Sequence, residues 1–356
     1  MGIRYWQCLI FAAVAGCAQM NSLPEKAPLP VHPIAETDPV ATPHDAADDS
    51  AIWVHPTDPA KSLVIGTDKQ RGLHVYDLDG RALETLPDGR LNNVDIRDGF
   101  LVNGRAMALV SATNRSNNSI ALYLLDPDSR RLVRVGNPVP TGFADPYGLC
   151  MYLNPQGEHY VFVSNSDDGR FRQWRLRADG ATAVADRVRE FRVGSKAEGC
   201  VADDETGALY IAEEGGGFWK YRASADGGNV RHQIDRVGGG NGLVADIEGV
   251  AIWHGRKGRG FIVVSNQGAD SYAVYRREGN NSFVGLFRVG DDVERNIDGV
   301  SATDGVAVTS QPLGAHYPDG LLVVQDGSNL PAGQHQNFKY VSWREIASVL
   351  GLANEG

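Results

Sequence analysis

An all-β propeller of six four-stranded antiparallel blades around a central channel is predicted by three features of the sequence. The first is composition: 42 Gly and 17 Pro in 356 residues, with turn pairs such as Asp79-Gly80, Asp168-Gly169 and Asp319-Gly320 spread along the chain, imply many short strands. The second is a repeat of about 50 residues whose signature is an apolar strand ending in polar residues. The third is a short motif ahead of each such strand, from Asp49-Ser50-Ala51-Ile52-Trp53 in the first copy to Asp304-Gly305-Val306-Ala307 in the last. A chain 42% hydrophobic and 22% charged is a folded, water-soluble body rather than a disordered or multi-spanning one. Acidic residues outnumber basic ones 44 to 34, which argues against a nucleic-acid partner held by a basic surface.

The N-terminal segment reads as an address. Residues 1–16 hold one Arg (Arg4), an apolar run from Cys8 to Ala15 and a small residue before Cys17, a signal layout too short to span a bilayer. Val14-Ala15-Gly16-Cys17 resembles the bacterial lipoprotein signal, which implies cleavage before Cys17 and its lipidation, with an ordinary signal as the alternative. Ala18, rather than Asp, implies by the same resemblance the outer membrane of a Gram-negative cell, with membrane contact through this anchor only. Residues 17–35, with Pro24, Pro28, Pro30 and Pro33, are expected to form a flexible tether, residues 36–350 the propeller and residues 351–356 a tail. Of the four cysteines, Cys150 and Cys200 remain in the folded body, where a disulfide and two buried thiols are both open.

The six repeat strands begin at Leu63, Leu109, Val161, Leu209, Phe261 and Leu321, and in most copies an alternating strand with aromatics follows, such as Leu73-His74-Val75-Tyr76 or Phe171-Arg172-Gln173-Trp174. That is hairpin grammar. The preceding motifs in the middle copies are Asn93-Val94-Asp95-Ile96, Pro146-Tyr147-Gly148-Leu149, Glu198-Gly199-Cys200-Val201 and Glu248-Gly249-Val250-Ala251. Any single Asp-Gly or Glu-Gly reads as a turn, but six motifs at matched phase put their acids at one mouth of the channel. Trp343 to Leu350 is expected to make a short helix outside the ring.

Gathering Asp48, Asp49, Glu198, Glu214, Asp246, Glu248, Asp298 and Asp304 at one opening requires cations between them. The ligand atoms on offer are oxygens, including those of Asn92, Asn266 and Gln267, so calcium is favoured over zinc and over magnesium. His44, His55 and His74 read as surface or packing residues, and no Gly-x-Ser-x-Gly, P-loop or Cys-x-x-Cys motif occurs. Lys69 and Arg115 follow equivalent strand ends, and with Tyr147 they could hold a phosphate.

Asp45 to Pro56, Gly66-Thr67-Asp68-Lys69, Leu91-Asn92-Asn93-Val94-Asp95, Asn114-Arg115, Pro146-Tyr147-Gly148, Glu198 to Asp204, Asp246-Ile247-Glu248-Gly249, Ser265-Asn266-Gln267-Gly268, Thr303-Asp304-Gly305 and Gln336-Asn337-Phe338-Lys339, in this order, resemble the β-propeller phytases, the calcium-dependent 3-phytase family. The resemblance implies a monomeric propeller that binds several Ca²⁺ ions and hydrolyses phosphomonoesters of phytate, myo-inositol hexakisphosphate, taken as its calcium complex. It places calcium ligands on Glu36, Asp48, Asp49, Asn92, the Val94 carbonyl, Glu198, Glu214, Asp246, Glu248, Gln267, Asp298, Asp304 and Asp326, and phosphate contacts on Lys69, Arg115 and Tyr147. Metal-activated water would attack phosphorus in line, with Glu198 or Asp304 orienting it. Three departures stand out: Ser50 replaces a usual Pro, Gln70 a frequent second Lys, and Ser166-Asp167-Asp168 a segment with a Lys-Glu pair. Asp167 and Asp168 therefore fall at a weakened second phosphate contact. Two rivals are a calcium-dependent lactonase or phosphodiesterase on a similar ring, and a non-catalytic propeller that calcium makes rigid.

Overall fold

Six sheets surround one axis in the computed structural model, which describes residues 1–2, 27–330 and 335–352. The export signal and the lipid site at Cys17 lie outside the described residues. The innermost strands are Ala47–Trp53, Leu91–Val102, Pro146–Leu153, Ala197–Asp203, Ile247–His254 and Val306–Thr309, one per blade. Each packs beside the inner strand of the next blade, and the sixth returns to the first. The short helix Trp343–Val349 packs against the ring with Trp343, Ile346 and Ala347 buried.

There is one apolar core per pair of adjacent blades, six in all among the described residues. A blade is thus covered on both faces. This explains why the second strands, such as Leu63–Asp68, His159–Asn165 and Leu321–Asp326, are buried throughout and read as continuous apolar runs rather than as alternation. Cys150 and Cys200, 50 residues apart and so at the same phase of neighbouring inner strands, form a disulfide between the third and fourth blades.

Ring closure uses the N-terminal chain. Ala35–Glu36 supplies the outermost strand of the sixth blade, with Ala35 opposite Tyr340 and Glu36 opposite Lys339. Leu29–Val31 adds in parallel to Phe283–Val289 of the fifth blade. The tether expected over 17–35 is therefore too long: its last residues are strand. Proline does not exclude strand here, because a residue without an N–H is tolerated on an edge strand, where Pro30 lies.

In five blades the register between first and second strand slips by one residue at the mouth end, between Ala47 and Ser50, Leu91 and Val94, Pro146 and Leu149, Ala197 and Cys200, and Ile247 and Val250. These are β-bulges, and they re-aim side chains. The bulged pairs are Asp48-Asp49, Asn92-Asn93, Tyr147-Gly148, Glu198-Gly199 and Glu248-Gly249, with Asp304-Gly305 at the same place in the sixth blade. The glycines are there for closeness: a Cβ on Gly148 would stand 1.9 Å from the Glu198 carbonyl oxygen, and one on Gly199 1.8 Å from that of Glu248. Each glycine lets one blade abut the acid of the next.

Gly199→Ala must therefore push the fourth and fifth blades apart. We expect a loss of about 1–3 kcal/mol, typical of overpacking a tight contact, measured by denaturant unfolding. A variant as stable as the parent would show that the contact yields without cost.

Candidate active site at the channel mouth

The first residues of the five bulged pairs, and Asp304 at the equivalent place in the sixth blade, meet at one end of the channel. Asp48, Tyr147, Glu198, Glu248 and Asp304 line a cavity of about 550 Å³ there, with Lys69 and Gln267 beside them. Asn92 joins them by donating from Nδ2 to Glu198 Oε1 at 2.6 Å. The four acids are buried.

Oxygens of Glu198, Glu214 and Glu248 lie within 4.8 Å of one another. At that spacing each ionised pair repels by about 3 kcal/mol even at an effective dielectric of about 20. Three pairs approach the whole net stability of a domain, so the cluster needs protons or cations. In the protein alone the balance falls toward protons: burial first, then Asp304 and Asp48, push Glu248 up to about 10, and burial with Asp48 pushes Asp304 up to about 7. Glu198 is raised for the same reasons. Burial and the Glu198 and Glu248 carboxylates keep the Tyr147 phenol protonated, hence a donor.

Lys69 stands among the acids of the first and sixth blades, its Nζ 2.7 Å from Asp45, 3.0 Å from Asp48 and 3.1 Å from Asp304. Burial disfavours its charge, but Asp48, Asp304 and Asp45 outweigh that and raise its pKa. Arg115 is gripped on two sides: Nε and Nη2 donate to the two oxygens of Asp145, both at 3.0 Å, and Nη1 donates to Asn92 Oδ1 at 3.0 Å. Ser166 Oγ donates to Asp145 Oδ2 at 2.6 Å and steadies the grip.

The residue types present suit a hard divalent cation. All the converging groups offer oxygen, and among the described residues no hydrogen-bond donor reaches the buried Asp48 Oδ2 or Glu214 Oε1. The opposite end of the channel differs. There Arg97 binds Asp95 and Asp204, and the buried Arg277 binds Asp203 and Glu205, each contact at 2.6–2.9 Å. Asp203, Glu205 and His254 also cluster, but Arg277 supplies their counter-charge.

Other residues singled out from sequence lie around this centre. Gln267 donates to Asp304, and Asp246 adds negative charge beside Glu214. Asp49 sits within the inner ring, its Oδ2 accepting from Asn93 Nδ2 and the Val94 N–H at 3.2 Å each. Glu36, Asp298 and Asp326 form a separate group around the buried ammonium of Lys339 in the sixth blade. Asp167 is exposed beside Ser166, and Asp168 is occupied by Arg170 at 2.6 Å. Sequence reasoning missed Asp145 and Lys196. Both immediately precede inner strands, and the repeat phase was the available signal: Ser166 N–H donates to the Asp145 carbonyl and Glu214 N–H to that of Lys196, as Lys69 and Arg115 do to Ala46 and Arg90.

Fold and site together define a six-bladed propeller with a carboxylate-rich mouth compatible with a cation and bordered by Lys69, Arg115 and Tyr147. The profile of the family described as Phytase matches residues 6–355. A 3-phytase from Bacillus subtilis (strain 168) is 44% identical over 325 residues, covering 89% of this chain and 84% of that protein. A luciferin-regenerating enzyme of known structure shares the fold at a TM-score of 0.53 with 13% identity, covering 86% of this chain and 95% of the other. The chain belongs to the Phytase family.

The raised carboxylates give a sign to the pH dependence. The folded protein holds protons that an unfolded chain releases near about pH 4, so with chelator present stability falls as pH rises toward about 7 for Asp304 and about 10 for Glu248. Tm from circular dichroism in EDTA should decline between pH 5 and 9, and saturating divalent cation should remove the decline. A flat or rising Tm in EDTA would contradict this electrostatic account.

Proposed function

We infer that this chain is a phytase, a phosphoric monoester hydrolase that releases inorganic phosphate from phytate, and that it depends on calcium. Family membership carries the reaction class. The observation that carries the chemistry is Arg115, locked by Asp145 and Asn92 beside Tyr147, at the rim of a buried carboxylate cluster in which Asp48 Oδ2 and Glu214 Oε1 lack donors. A lactone has no phosphoryl oxygens for that arrangement to hold, and family membership selects the monoester over the diester.

Glu198, Glu214, Glu248, Asp48 and Asp304 would hold the calcium, with Gln267 adjoining. Bound there, the ion would neutralise the acids, polarise phosphoryl oxygens and lower the pKa of water. The chain's own residues do the rest. Arg115 presents a planar fork matched to phosphate oxygens, and its fixed geometry avoids ordering costs during reaction. Tyr147 donates through its hydroxyl, and Lys69 supplies a compact charge across the cavity. Glu198 or Asp304, both lining the cavity, would orient an attacking water and accept its proton.

The deciding assay is phosphate release from calcium phytate by the purified chain. EDTA should abolish it and calcium restore it, and Arg115→Ala should lower kcat/KM by about 10²–10³, the range for losing a preorganised charge-stabilising donor. Asp145→Asn, which loosens the grip on Arg115, should cost less, about tenfold. Activity that survives chelation would refute the calcium dependence.

The export reading supports a lipoprotein anchored through Cys17, with the outer membrane as its site. Radiolabelled palmitate should enter the full chain expressed in a Gram-negative host, and Cys17→Ser should abolish labelling. Equal labelling of both would remove the proposal.

A further inference from the structure

Glu213 is a buried carboxylate to which the function described so far gives no part. It ends the second strand of the fourth blade, Ala208–Glu213, where the other five blades end theirs on Asp68, Asn114, Asn165, Asn266 and Asp326. A glutamate is one methylene longer than any of these. Asp68, Asn114 and Asp326 accept from the N–H two residues on, within their own turns. Glu213 reaches past its turn instead: Ser195 Oγ donates to Oε1 and Trp219 Nε1 to Oε2, both at 2.7 Å. Two glycines make room for the carboxylate, since a Cβ on Gly194 would collide with Oε1 and one on Gly216 with Cδ and Oε2. Arg231 closes another side, its Cζ 3.8 Å from the centroid of the Trp219 ring and its Nη1 3.8 Å from Glu213 Oε2.

The carboxylate joins two loops that each present an acid of the mouth. Gly194-Ser195-Lys196 leads into the inner strand Ala197–Asp203, which carries Glu198. Glu213 to Gly216 is a turn, closed by the Gly216 N–H donating to the Glu213 carbonyl at 2.9 Å, and Glu214 is its second residue. Glu198 and Glu214 supply two of the three clustered carboxylates, so their separation depends on how these two loops are held. We propose that Glu213 is a positioning residue: by tying Ser195 to the turn of Glu214 it fixes the spacing of the Glu198 and Glu214 oxygens, and thereby the affinity of the mouth for a divalent cation. Ligands spaced in advance bind an ion without the cost of ordering them. The inference rests on the calcium reading and deepens it.

Calcium titration calorimetry on the metal-stripped full chain separates geometry from charge. Glu213→Asp keeps the charge but is too short to span from Ser195 to Trp219, and should weaken calcium binding about 10–100-fold, the range for losing a group that orients metal ligands. Glu213→Gln loses the charge but keeps the length, its amide oxygen accepting from Trp219 and its NH2 donating to Ser195 Oγ, and should bind near the affinity of the parent. Ser195→Ala frees one loop only and should lie between. Phytate turnover by Glu213→Asp should need correspondingly more calcium for half-maximal rate, with the maximal kcat retained. Circular dichroism in EDTA establishes that each variant is folded. Parent-like affinity in Glu213→Asp would overturn the proposal, and so would a Glu213→Gln variant that binds no tighter than Glu213→Asp, which would reduce Glu213 to a distant charge. A lower Tm in EDTA with unchanged calcium affinity would make it a structural brace alone and overturn the proposal too. A parent that bound no calcium would sink the calcium reading and this inference together, whereas a parent that binds while its variants match it sinks the inference only.

Discussion

Six backbones converge at the channel mouth more closely than six ordinary side chains would permit, and the chemistry of the protein follows from that closeness. Bulges turn Asp48, Asn92, Tyr147, Glu198 and Glu248 toward the same opening, where Asp304 of the sixth blade joins them. Glycines behind four of them allow adjacent blades to touch through backbone. The acids are then so near one another that they cannot all be ionised without cations among them. A carboxylate cluster compatible with a cation is thus a consequence of ring geometry and not an addition to it.

The two ends of the channel resolve the same electrostatic problem in different ways. At the far end arginines complete the acids, with Arg97 reaching from the second blade to Asp204 of the fourth, and Arg277 fully buried against Asp203. Those pairs are closed and structural. At the mouth the cations are Lys69 and Lys196, on flexible stems, and carboxylate oxygens are left without donors. Such groups can exchange partners, which suits the uptake of metal and phytate proposed for this mouth. Arg115 is the exception, an arginine at the mouth, and its rigid clamp by Asp145 and Asn92 suits one fixed oxyanion position.

Much of this was legible along the chain. The number of blades, the strands within them and the short C-terminal helix follow from the repeat. The shared location of Asp48, Glu198, Glu248 and Asp304 follows from equal phase. Two readings were incomplete. The Glu-Gly and Asp-Gly pairs look like turn residues, but they are bulges whose glycine answers to the neighbouring blade, and that neighbour is about 50 residues away. Residues 29–36, rich in proline, look like a linker, and they are the strands that finish the fifth and sixth blades.

Local chemistry therefore set the architecture. Strand length, turn residues and apolar runs act between near neighbours, and a period repeated often enough forces closure, so these are readable from the order of residues. Folding in three dimensions selected the partners. Whether an acid meets an arginine, a lysine or open space, whether Cys150 meets Cys200, and whether Asp145 grips Arg115 depend on distances between blades. Those distances are fixed by packing of six interfaces at once, and no stretch of sequence contains them.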